Sequence, residues 1–125
     1  MGQIKFFEDL EVYKLARHFR NKIYELTKGL PSEEKYNLVN QMRRASLSLT
    51  SNIAEGYGRY HYQENIQFCR QARGSLSEIM DQLMACSDLG YIDKGTVEVL
   101  LMEAREVRRY LNAYIKSTMK RQGMK

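Results

Sequence analysis

Ala45-Ser46-Leu47-Ser48-Leu49-Thr50-Ser51-Asn52 decides the fold class of this 125-residue chain. Taken alone, the stretch alternates like a strand and is poor in strong helix formers. The residues on either side overrule that period. Leu38, Met42, Ala45, Leu49 and Ile53 recur at three- and four-residue spacing through the stretch and beyond it, which puts them on one face of a helix. Small side chains in its middle let another helix approach closely. The segment is therefore predicted as a helix over about 33–56, with Ser32 as its N-cap ahead of Glu33 and Glu34.

Three further segments carry the same period. One spans about 7–28, with Val12, Ala16, Phe19, Ile23 and Leu26 inward and Glu8, Asp9 and Glu11 at its positive end. Lys28-Gly29 stops it, the glycine being able to turn left-handed. The next spans about 63–87, with Phe68, Ala72, Leu76, Ile79, Leu83 and Cys86 inward. Gly74 in its interior costs about 1 kcal/mol relative to Ala, so close packing against helix two near Arg44 is expected to offset it. The last spans about 94–120, with Val97, Leu101, Ala104, Val107, Leu111 and Ile115 inward. Short connections make consecutive helices antiparallel neighbours. The prediction is an all-α, antiparallel up-down-up-down four-helix bundle in one domain, 1–125, with no internal repeat.

Composition narrows the setting. Hydrophobic residues at 43% and charged residues at 28% suit a soluble globular domain. Apolar runs such as Val99-Leu100-Leu101-Met102 fall far short of the ~20 residues that span a bilayer. The start, Met1-Gly2-Gln3-Ile4-Lys5-Phe6, lacks a secretory h-region, and Phe6 stands where a myristoylation signal wants Ser or Thr. A cytoplasmic protein away from membranes is expected. Cys69 and Cys86 fall on one helix, about 25 Å apart at 1.5 Å per residue, too far for a disulfide.

Catalytic constellations are missing. His18 and His61 form no His-Glu-x-x-His pair, no Glu has a His three residues later, and two cysteines lack zinc spacing. Gly56-Tyr57-Gly58 is no phosphate loop, and Ser46, Ser48 and Ser51 have no neighbouring base. No enzyme activity, cofactor or metal is expected.

Three features remain. Gln41, Arg44, Ser48, Ser51 and Glu55 form a polar stripe on helix two, beside Asn52. With facing residue numbers adding to about 118, Arg44 meets Gly74 and reaches Glu78 on the next turn. This seam is either an ion-pair and hydrogen-bond contact between helices or subunits, or a ligand site. Tyr57-Gly58-Arg59-Tyr60-His61-Tyr62 interleaves aromatic and basic groups, which can stack bases and hold phosphates; tyrosines at a bundle end also simply cap the core. The third feature is charge. The net +5 resides in residues 103–125, which hold seven basic and two acidic side chains. Arg105, Arg109, Lys116 and Lys120 flank the apolar stripe of helix four on one side, with Arg108 and Arg121 nearby. They suit a phosphate backbone, or serve only to complement the helix dipole.

Phe7-Glu8-Asp9-Leu10-Glu11-Val12-Tyr13, Gln41-Met42-Arg43-Arg44-Ala45 and Ser51-Asn52-Ile53-Ala54-Glu55-Gly56-Tyr57-Gly58-Arg59 resemble the four-helix-bundle proteins encoded in bacterial 23S rRNA intervening sequences. Phe68, Ala72, Gly74-Ser75 and Glu78 match that family's third helix, and the likeness covers roughly 6–118. Tyr13 stands where many members have Trp, and Thr50 where many have Pro, which bears on the path of helix two. The resemblance implies a ring-shaped homopentamer. It also implies a related branch, the accessory proteins of diversity-generating retroelements, which bind a reverse transcriptase and nucleic acid. Two functional classes follow: an oligomeric, non-enzymatic nucleic-acid-binding accessory protein, or a scaffolding homo-oligomer whose partner is another protein.

Overall fold

Residues 45–52 are helical throughout in the computed structural model, which describes residues 6–123. Four α-helices form among these described residues: α1 (Glu11–Thr27), α2 (Leu38–Tyr57), α3 (Tyr62–Asp88) and α4 (Lys94–Gly123). Short 3-10 turns at Phe7–Asp9 and Ser32–Glu34 precede α1 and α2. Side-chain contacts give the topology. Arg20 reaches Thr50 while Thr27 meets Arg43; Ser48 meets Ser75 while Met42 meets Cys86. On each pair of helices one number falls as the other rises, so neighbours run antiparallel. Lys22 and Glu103 close the circuit between α1 and α4, 2.6 Å apart.

The periodic stripes form one core. Phe19, Ile23, Met42, Leu49, Ile53, Leu76, Ile79, Leu83 and Leu111 are wholly buried, as the three- and four-residue spacing requires. Leu26 and Phe68, expected inward, are only half-buried. Three small residues of α2, Ala45, Ser46 and Thr50, also point in. Ser46 donates to the Arg43 carbonyl at 3.0 Å and Thr50 to that of Leu47 at 3.2 Å. These back-bonds satisfy hydroxyls that a core otherwise penalises. Thr50 further accepts from the Arg20 guanidinium at 3.1 Å, and α2 continues past it unbroken.

Helix boundaries differ from expectation at two starts. Phe7–Asp9 is a separate turn, and extended Leu10 (ψ 131°) drops into the core before α1 begins. Helix α2 begins at Leu38 rather than near 33. Ser32 does not cap it; the Glu34 carboxylate accepts from the Leu38 backbone N–H at 3.3 Å instead. Gly29 is not left-handed either. The chain leaves α1 through a tight turn, Leu30 N–H to Thr27 carbonyl at 3.2 Å, and among the described residues only Gly90 has a positive φ, 75°.

The expected role of Gly74 is overturned. It is exposed, and a Cβ built there meets nothing within 4 Å. Close approach of α2 to α3 occurs at Gly56, where a Cβ would lie 2.9 Å from the Phe68 Cβ and 3.0 Å from the Asn65 carbonyl. Its face explains the miss: two residues from both buried Ala72 and buried Leu76, Gly74 lies on the far side of α3 from their stripe. The register differs as well. Ser48 meets Ser75 at 2.9 Å, where a symmetrical hairpin puts it opposite Arg70. Helical side chains lean toward their own N-terminus, so α2 side chains lean away from the loop while α3 side chains lean toward it. The pairing therefore slides along α3.

Candidate nucleic-acid interface

Three of the six basic residues singled out in α4 lie on its solvent face without an ion-pair partner among the described residues: Arg105, Lys116 and Lys120. Arg109 shares that face but is held 2.6 Å from Glu106, and its guanidinium keeps the Glu106 carboxyl below the usual range. At 100° per residue the four fall within one narrow outward stripe, about 22 Å long at 1.5 Å per residue. Half-buried Arg108 lies toward α3. Arg121 leaves the stripe altogether. It bonds the Thr118 hydroxyl at 3.0 Å and lies over the Tyr62 ring, 5.8 Å from its centroid.

That last contact joins two features that were separate in the sequence. The antiparallel topology brings the 57–62 connection and the end of α4 to one end of the bundle. Tyr57 and Tyr62 are half-buried there, in keeping with capping. Tyr60 caps nothing: it is 96% exposed, its ring 6.2 Å from that of His61. Arg59 bridges Glu55 at 2.8 Å and stacks on Phe68 at 4.8 Å. Asn65 anchors this end from within. It is buried, its amide donates to the Tyr114 hydroxyl at 2.9 Å, and it lies against Gly56.

The polar seam of α2 is partly realised. Asn52 donates to the Ser48 hydroxyl at 3.0 Å, and Ser75 of α3 donates to that hydroxyl at 2.9 Å. Gln41 instead donates to Asn37 at 3.0 Å, and Glu55 takes Arg59. Arg44, Ser51 and Glu78 are exposed, and no Arg44–Glu78 ion pair forms among the described residues. Leu47, 46% exposed, interrupts the outward side of the stripe. No helix among the described residues is long and apolar enough to cross a membrane.

The 23S rRNA-intervening sequence protein family matches residues 8–113. The chain belongs to that family. A solved structure with a similar fold is a protein of unknown function from the S23 ribosomal protein family of Bacteroides thetaiotaomicron VPI-5482. It is 24% identical, with a TM-score of 0.78 over 84% of this chain and 95% of that one. None of the curated proteins matches. The family match ends at Ala113, so Lys116, Lys120 and Arg121 lie beyond it.

Sequence reasoning missed two residues of this family member that matter to its architecture. Asn65 is buried beside Gly56 although no apolar period includes it. Gln82 is also buried, and neither side-chain polar atom has a hydrogen-bond partner among the described residues. It lies seven residues beyond Ser75, and so on the same side of α3. Both cysteines are free and buried, and burial pushes each thiol up to about 11.

Proposed function

We propose that this protein is a non-enzymatic, oligomeric accessory protein of the cytoplasm that binds nucleic acid through the outer face of α4. One observation carries the reading: Arg105, Arg109, Lys116 and Lys120 stand on one exposed stripe, with Glu106 the only acid in an ion pair with it among the described residues. Neutralising phosphates releases condensed counterions, so such a stripe binds any backbone and does so less well in salt. Arg108 and Arg121 flank it. A ring of copies, a pentamer as the family resemblance implies, repeats the stripe and turns weak contacts into avid binding. The exposed side of α2, with Gln41, Arg44, Leu47, Ser51 and Glu55, supplies the contact between copies.

A protein scaffold is the second reading. Its support is the opening between α1 and α4, a groove of about 560 Å3 lined in part by Leu26, Ile92, Val99 and Leu100. Val99 is 57% and nearby Met102 67% exposed, and apolar surface of this kind suits a protein partner, for instance a reverse transcriptase.

Changing Arg105, Arg109, Lys116 and Lys120 together to Gln separates the readings. All four lie off the core, so the fold is expected to persist by circular dichroism. Fluorescence anisotropy with RNA and with single- and double-stranded DNA, at roughly 50 and 200 mM salt, is expected to show most binding lost and the salt slope flattened. Undiminished binding by the variant, or salt-insensitive binding by the parent, overturns the nucleic-acid reading in favour of the scaffold. Light scattering tests assembly: a mass near 14.7 kDa at micromolar concentration refutes the oligomer.

A further inference from the structure

We infer that the bundle end formed by the 57–62 connection and the last turns of α4 takes unpaired nucleic acid, by stacking a base on Tyr60 and His61. The inference rests on the nucleic-acid reading above and specifies its substrate. Tyr60 is the most exposed large aromatic among the described residues, at 96%. An aromatic ring in water costs free energy that a stacking partner recovers, and an unpaired base is such a partner. In a duplex both faces of each base are already covered, so the same ring has nothing to stack on.

The surface behind Tyr60 has the shape and chemistry for a strand. A crevice of about 220 Å3 opens between His61, Tyr62, Gln63 and Gln122. It continues into a groove of about 460 Å3 along α3 and α4, because Gln63 and Gln122 line both. Gln67, Arg70 and Met119 line the groove further along. Amide side chains offer a donor and an acceptor each, which suits the edges of bases that are no longer paired. Arg70 adds a cation, and Met119, 49% exposed, an apolar contact. Glu64 is the one acid in the groove wall. On α4, Lys116 and Lys120 lie three residues before and one after Met119, so the phosphate-binding stripe borders the groove. A strand laid there has phosphates on the α4 cations and bases toward the glutamines, with its end over Tyr60.

The molecule contains its own control. Tyr36, at the opposite end, is 84% exposed and has Lys35 5.3 Å over its ring. Glu33 and Glu34 precede it in the chain.

The test compares the full chain with a Tyr60→Ala/His61→Ala variant and with Tyr36→Ala. Probes are a labelled oligo-uridine of about 20 nucleotides, longer than a usual single-strand site, and a duplex of the same length. Loss of one stacked base is expected to weaken oligo-uridine binding by the double variant about tenfold. Its duplex binding is expected to stay within about twofold, and Tyr36→Ala is expected to match the parent on both probes. The protein has nine tyrosines and no tryptophan, so quenching of tyrosine emission by oligo-uridine reads stacking directly. That quenching is expected to shrink in the double variant and in Tyr60→Phe alike, since both lose the Tyr60 emitter, while Tyr60→Phe keeps a stacking ring and so binds oligo-uridine like the parent. Equal losses on both probes, or no loss on either, overturn the stacking inference while leaving the α4 stripe standing. Full binding by the quadruple Gln variant, with the Tyr60 effect intact, overturns the stripe instead.

Discussion

The two ends of the bundle handle their polar side chains in opposite ways. At the end where α1 meets α2 and α3 meets α4, they close on one another. Glu34 accepts from the Tyr91 hydroxyl at 2.8 Å with one oxygen and from Leu38 and Asn37 with the other. Asp93, just before α4, accepts from the Thr96 backbone N–H at 2.9 Å and its hydroxyl at 2.7 Å. Gly90, left-handed, lets Tyr91 N–H return to the Cys86 carbonyl at 2.9 Å, which satisfies an orphan group of α3. At the other end Gly56 and Asn65 lock the backbone from within, and Tyr60, Gln63, Gln122, Lys116 and Lys120 face outward. The difference teaches where to look for a ligand. Exposure alone does not mark a site, since both ends carry an exposed tyrosine; side chains whose bonding capacity is still open do.

The sharpest way to break this comparison is to loosen the locked backbone. Gly56→Ala pushes a methyl into Phe68 and the Asn65 carbonyl and is expected to cost about 1–3 kcal/mol by overpacking. Urea denaturation monitored by circular dichroism checks it. Gly74→Ala is the counterpart in open space. It is expected to gain about 0.5–1 kcal/mol from helix propensity. Equal effects at the two glycines would show that the approach of α2 to α3 is not concentrated at Gly56.

The smallest expected effect sharpens the other side of the comparison. Bonding by Tyr91 holds the Glu34 carboxyl below its ordinary range, and bonding by Thr96 does the same for Asp93. A carboxyl depressed in the folded state adds stability above its unfolded value and loses it as pH falls through the folded value. Melting temperature is therefore expected to drop slightly on acidification below about pH 4.5. Tyr91→Phe should reduce that drop. Asp93→Asn, which retains an N-cap acceptor, should reduce it while leaving the melting temperature at pH 7 nearly unchanged. An acid response identical in all three proteins would mean that neither carboxylate is held by these bonds.

Much of this was legible beforehand because it is local. Leu38, Met42, Ala45, Leu49 and Ile53 sit on one face whatever they pack against, and they overrode the strand-like alternation of 45–52. The cysteines' separation along one helix excluded a disulfide for the same reason. The candidate site was legible in pieces. The tyrosine-rich connection and the cations of α4 stood out by composition, yet they lie some 60 residues apart in the chain. Nothing local indicated that Tyr60 projects while Tyr57 and Tyr62 tuck in.

Periodicity and short connections determined the four helices, their antiparallel order and most of the core, since each depends on residues within a few turns of one another. Tertiary structure decided the rest. The start of α2 depends on Glu34, whose second oxygen is taken by Tyr91, 57 residues away. The identity of the tight glycine depends on which one a neighbouring helix crosses: Gly56 lies on the buried face of α2 against Asn65 and Phe68, while Gly74 faces solvent. The meeting of Tyr62 with Arg121 depends on where two helix ends arrive in space, a distance no local spacing encodes.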